Sequence, residues 1–201
     1  MRGLAPTYSS RVKVVDSSAE PFERAVGLIR ACTARAEFVL EETPAPQRLA
    51  PHALAITAEM ADLDDDTASG RFVLLHDPDG IDEWEGTFRA VAFIRANVEP
   101  ELVDDPLIME VVWSWLVEAM HGLEARQIGG TVTKSSGDSF GTMTGKRPQG
   151  TIELRASWTP TGSPEPDLGA HFGVWLETLA TAAGLTPLPA GVASVARRRR
   201  G

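Results

Sequence analysis

The sequence predicts an α+β domain: a twisted antiparallel sheet of five or six strands with helices packed on one side, in the order α-βββ-α-ββ(β)-α. Two observations carry this expectation. Alternating runs of apolar and polar residues recur at short intervals with turn-forming residues between them, so neighbouring strands pair antiparallel without crossover helices. Segments with three- and four-residue apolar spacing stand before, between and after those runs. A single domain is expected over residues 17–185, between a flexible N-terminal tail at 1–16 and a flexible arginine-rich C-terminal tail at 186–201.

From Ser17 to Ala36, the residues Phe22, Ala25, Val26, Ile29, Cys32, Thr33 and Ala36 share one helical face. Ser17 and Glu20 have capping-box spacing, and Pro21 suits a first turn. Pro44 and Pro46 end any helix. Three strands follow. Leu54, Ile56, Ala58 and Met60 alternate with their neighbours, Arg71 to His76 stops at the turn sequence Asp77-Pro78-Asp79-Gly80, and Thr87 to Val98 alternates again. A helix from Pro106 to His121, with Asp104 or Asp105 as cap and Gly122 as terminator, is apolar almost all round. An ordinary surface helix needs only one such face, so a second covering is expected for it. Ile128 to Lys134 and Thr151 to Thr159 read as two further strands, with a short extra one at Ser139 to Thr144. The last helix runs from Asp167 to Ala183, stops at Gly184, and buries Leu168, Phe172, Trp175, Leu176 and Leu179.

The 201 residues are 43% apolar and 23% charged, with a formal net charge of −9. No apolar stretch reaches the ~18 residues that span a bilayer, and the first ten residues lack a secretory apolar run, so the expectation is a cytoplasmic protein with no membrane partner. The lone Cys32 leaves no disulfide framework and no multi-cysteine metal site, and His52, His76, His121 and His171 form no close pair. Carboxylates at Asp62, Asp64, Asp65 and Asp66, and from Asp77 to Glu85, follow no calcium-loop order and read as solvated turns. No metal or cofactor is expected. Without its four terminal arginines the chain carries 15 basic against 28 acidic residues, a balance that repels phosphate backbones and argues against nucleic acid as a partner.

Two sets of residues invite function. The stretch Gly129 to Gly141 combines glycines and hydroxyls with Lys134, Ser135 and Ser136, and Lys146 and Arg147 follow closely. Backbone N–H groups and a lysine can cradle a phosphate, and His76 at a strand end titrates near neutrality. The stretch matches neither phosphate-loop spacing, and no Gly-x-Ser-x-Gly elbow occurs, so no catalytic residue is assigned. The second set is an interface: Trp115 points away from Trp113 by about 200° of helical rotation, Trp84 lies in an acidic turn, and Met109 and Val112 sit on the apolar helix.

Residues 70–75, the Trp113-Ser114-Trp115-Leu116 stretch and the Gly129 to Gly141 segment resemble a small actinobacterial family known as a domain of unknown function, over most of residues 20–185. That resemblance implies no catalytic residue, ligand or partner. The element order is similar to the type III secretion chaperone-like architecture, which implies dimers that bind polypeptides. The leading expectation is a non-enzymatic binding or chaperone-like module acting as a homodimer, with a polypeptide as a further partner. The alternative is a binder or enzyme for a small phosphate-containing ligand at the Gly129 to Arg147 loop.

Overall fold

A computed structural model describes residues 19–61, 67–144 and 149–186. Its elements, in chain order, are α1 (Glu20–Ala31), β1 (Phe38–Thr43), β2 (His52–Met60), β3 (Ala68–Ile81), β4 (Gly86–Val98), α2 (Pro100–Asp104), α3 (Ile108–Ala119), β5 (Ala125–Gly137), β6 (Gln149–Pro160) and α4 (Leu168–Ala182). The six strands form one antiparallel sheet in the order β1-β2-β3-β4-β6-β5. The architecture is therefore α+β, as the alternation predicts. No helix among the described residues is long and apolar enough to cross a membrane.

Turn chemistry sets the hairpins. Gly80, at φ +77°, and Glu85, at φ +53°, flank a single 3-10 turn at Asp82–Trp84 that joins β3 to β4. Helix ends follow the same local logic. The Asp167 side chain accepts the Ala170 N–H at 3.0 Å to cap α4. At its other end Gly184, at φ +71°, lets Leu185 N–H reach Ala180 O at 3.0 Å.

Several boundaries differ from expectation. β1 was not foreseen: Phe38 packs into the core while Val39, Glu41 and Glu42 are exposed, so this edge strand shows too few apolar positions to read as one. Ser139 to Thr144 forms no strand, carrying instead an exposed 3-10 turn at Gly141–Met143. The first helix stops at Ala31, not Ala36, and its N-cap is Ala19 with no side-chain bond; Ser17 lies outside the described residues. The helix expected from Pro106 begins at Ile108, after the separate turn of α2. Asp105 still serves there, accepting Leu107 N–H at 2.8 Å. The residues of both expected tails lie outside the described ones except Thr186, and so do Asp62 to Asp66.

One face of the sheet holds the main core. Leu54, Phe72, Leu74, Ala92, Ile94, Leu154 and Trp158 meet Ile29 of α1, Val112 and Leu116 of α3, and Phe172, Trp175 and Leu179 of α4. Phe72 meets Phe172 edge-on at 5.2 Å, and Trp175 lies 5.3 Å from Phe172. The indole N–H of Trp175 donates to Phe93 O at 3.3 Å, over Gly70, where a Cβ would stand 3.0 Å from Trp175 Nε1. On the opposite face a small cluster of Ala55, Val73 and Leu75 is covered by Ala45, Ala50 and Trp84. Beside it Arg155 lies 5.4 Å over the Phe93 ring.

Candidate functional site

β5 is the last strand of the sheet, and among the described residues no strand pairs with its outer edge. Alternation sends Ile128, Gly130, Val132 and Lys134 toward the helix-covered face and Thr131, Thr133 and Ser135 toward the other. Contacts bear this out. Val132 packs on the main core, and Lys134 Nζ donates to Asp105 O at 3.1 Å just before α3. A Cβ on Gly130 would stand 3.0 Å from Trp113 Cζ3, so the indole lies directly on the strand.

Trp113 belongs to a row on α3, with Met109 one turn before and Val117 one turn after. Val117 and Ile128 share a groove of about 170 Å³ with Leu116, Met120, Leu123 and Ala125. Met109, Val117 and Ile128 are 40%, 51% and 45% exposed, so an apolar margin runs beside an unpaired strand. Phe140 and Met143, just past β5, are also exposed.

The two edges of the sheet are managed differently. On β1, Glu41 and Glu42 are exposed, and Arg30 of α1 holds Glu42 at 2.6 Å. Charges of this kind discourage strand addition. On β5 the only charged residue between Ile128 and Gly137 is Lys134, and its ammonium turns inward to Asp105 O. The segment 128–133 is left uncharged along its open side.

Of the expected interface residues, Met109 lies on this margin. Trp115 does not: it is half-buried against the core on the other flank of α3, because the rotation that separates it from Trp113 turns it away from β5. Val112 is 1% exposed and fills the core, so it offers nothing to a partner. Trp84 is half-buried against Val73 and Leu75, and its carbonyl accepts the Thr159 hydroxyl.

The residues expected to hold a phosphate are not gathered. The strand expected at Ile128 to Lys134 runs from Ala125 to Gly137, so Lys134 and Ser135 face opposite ways. Lys134 pairs in register with Ile152 and, through it, with Ala96 of β4, whereas His76 pairs with Phe88. Those two β4 positions are about 26 Å apart along the strand, at about 3.3 Å per residue. Lys146 and Arg147 lie outside the described residues. Ser136 is an exposed residue near the end of β5.

His76 sits at the far end of the sheet, 2% exposed. Its ring is 4.3 Å from Phe88, 5.6 Å from His52 and 6.0 Å from Phe22. Burial, and then the neighbouring His52, hold its pKa below the usual imidazole value, against the pull of Asp77. Cys32 is a weak nucleophile: burial, and then Asp167, push its thiol pKa up, and Sγ lies 3.4 Å from Leu28 O.

The participant not singled out from the sequence is Trp113, which packs partly buried against the core and lies on Gly130. The signal available was Gly129-Gly130 inside a strand pattern, since an interior glycine marks close approach of a neighbour. A search of curated proteins and a search of solved structures each found no match. Residues 18–193 match the family described as "Protein of unknown function (DUF3000)", and with most of its length inside that match the chain belongs to this family.

Proposed function

We propose that this chain is a non-enzymatic binding module that acts as a homodimer, two copies joining through β5 and the Met109-Trp113-Val117 row of α3. The carrying observation is the contrast between the charge-guarded edge at β1 and the apolar-flanked edge at β5, which is uncharged over residues 128–133. A second copy suits this edge because antiparallel pairing about a two-fold axis is self-complementary. Centred on Val132, it sets Thr131 opposite Thr133 and Gly130 opposite Lys134, with no like charges facing each other. It also brings the two α3 margins together on one face of a continuous sheet. Support for the non-enzymatic part comes from the dispersal of Lys134, Ser135 and His76. We place the protein in the cytoplasm, in keeping with its single thiol.

Sedimentation of the purified chain tests this. The wild type is expected to double in mass as concentration rises. Val117→Lys, on a half-exposed residue, is expected to weaken association about ten- to a hundredfold while shifting monomer stability by no more than about 0.5 kcal/mol. A wild type that stays monomeric removes the dimer and leaves an extended peptide as the strand that would add to β5.

A further inference from the structure

We propose that the sheet face turned away from the helices binds an acidic polypeptide segment that carries an apolar residue between its carboxylates. The proposal rests on the binding-module part of the reading above and not on the homodimer.

The helices cover the face on which Phe72, Ile94 and Leu154 are buried. Alternation sends Arg71 of β3, Phe93 and Arg95 of β4, and Arg155 of β6 to the other face. In register Arg71 pairs with Phe93 and Phe93 with Arg155, so one phenyl ring has an arginine on each neighbouring strand, about 4.8 Å away. Arg95 follows two residues on, about 7 Å along β4. Ala45, Ala50 and Trp84 cover this face over Val73 and Leu75, whereas Phe93 is partly exposed and Arg95 and Arg155 are exposed.

The charge here is not neutralised from within. On the helix side Arg24, Arg30 and Arg35 pair with Glu165, Glu42 and Glu37. Among the described residues no carboxylate is in ion-pair contact with Arg71, Arg89 or Arg95. Arg89 donates instead to Ser157, Thr159 and the Gln127 carbonyl, and Arg71 to Pro44 O at 2.8 Å. Arg155 meets Glu153 at 3.2 Å and lies 5.4 Å over Phe93, with its side chain 67% exposed, so part of its N–H edge faces solvent. From Ser69 to Leu75 on β3, Arg89 to Asn97 on β4 and Thr151 to Thr159 on β6, this face thus carries four arginines and one glutamate in a chain of net charge −9. Glu41 and Glu59 face the same way on β1 and β2, which directs an acidic partner over β3, β4 and β6.

Positive charge spread across three strands around an apolar ring fits an extended chain better than a single small anion. In an extended peptide alternate side chains point the same way, about 7 Å apart. An apolar residue set beside Phe93 therefore sends the acidic residues two places before and two places after it toward the flanking guanidiniums, which bind carboxylates bidentately. A single-stranded nucleic acid fits less well. The ring on which a base would stack already carries Arg155, and Glu153 stands in the path of the phosphates. Screening over about 10 Å at 0.1 M salt keeps carboxylates elsewhere on the chain from cancelling this local attraction.

The test is an NMR titration of the full ¹⁵N-labelled chain, at about 0.1 M salt. The probes are a short peptide with aspartates two residues before and two after a phenylalanine, its asparagine counterpart, and oligothymidylate. The acidic peptide is expected to give saturable shifts at the amides of Arg71, Phe93, Arg95 and Arg155, with a dissociation constant of order 0.1–1 mM. The asparagine peptide and oligothymidylate should each bind at least about tenfold more weakly. Arg95→Gln combined with Arg155→Gln, both at exposed positions, should weaken the acidic peptide at least about tenfold with the fold intact. If that pair of substitutions disturbs the fold, Arg95→Gln alone carries the test, with a loss of about threefold. Val117→Lys, on the other face, should bind the peptide as the wild type does, so failure of this site and failure of the homodimer are read separately. The proposal is overturned by the absence of saturable shifts with the acidic peptide, by the asparagine peptide binding as tightly, by oligothymidylate binding more tightly, by shifts that survive the arginine substitutions, or by loss of binding in Val117→Lys.

Discussion

Gly130→Ala is expected to destabilise the protein by about 1–3 kcal/mol, whereas Gly129→Ala, one residue earlier, should change stability by no more than about 0.5 kcal/mol. The two glycines are adjacent in one strand, and their surroundings differ. A Cβ on Gly130 would overlap Arg155 O on the paired strand and approach Ala156 Cα to 2.9 Å and the Trp113 ring to 3.0 Å. The first two are backbone atoms, so relief requires β5 to move away from β6, and moving it also lifts Trp113. A Cβ on Gly129 meets nothing within 4 Å. Urea midpoints of the two variants, measured at one protein concentration, decide the matter. Equal midpoints would mean that β5 does not approach β6 at Gly130 as closely as the Arg155 O and Ala156 Cα distances require.

Acid should weaken the protein before its carboxylates begin to titrate. His171 is 1% exposed, and its Nδ1 accepts the Trp158 indole N–H at 3.2 Å. Protonating that nitrogen would turn an acceptor into a donor facing a donor. Burial, and for His76 also the nearby His52, hold both pKa values below the usual imidazole value. Below an unfolded value of about 6.5 the unfolded chain therefore binds more protons than the folded one, and stability falls as pH falls. Each histidine contributes at most about 1.4 kcal/mol per pH unit in that window. The ion-paired carboxylates Glu37 and Glu42 have lowered pKa values, through hydrogen bonds from Arg35 and Arg30, so their loss belongs to pH values below the ordinary carboxylate range. Urea midpoints between pH 7.5 and 5.5 thus isolate the histidines. A flat profile there would show that neither buried imidazole is held neutral by folding.

The central strands were legible because several signals agreed. Asp77-Pro78-Asp79-Gly80 announces a turn, and Phe88, Ala90, Ala92 and Ile94 alternate cleanly because both neighbours of β4 are strands and one of its faces is core. The sheet edges were legible only in part. β1 keeps Glu41 and Glu42 exposed, so edge exposure removes the apolar pattern that would reveal a strand. Over β5 the run from Ile128 to Lys134 does read as a strand, but the glycines and hydroxyls that continue to Gly141 also read as a loop able to hold a phosphate, although the backbone as far as Gly137 is committed to β6. The surplus apolar surface of α3 was also legible, but its direction was not. Helical rotation separates Trp113 from Trp115, but only the position of β5 decides which of them borders an open edge.

Backbone amide hydrogen exchange across β5, followed at high and low protein concentration, tests the homodimer most directly. If two copies join their sheets, outward-directed amides among residues 129–135 are protected in concentrated solution and lose that protection on dilution, while amides of β4 and β6 stay protected throughout. Outward amides of β5 that exchange at unprotected rates at both concentrations would show that no second strand covers this edge, and the homodimer reading would be wrong.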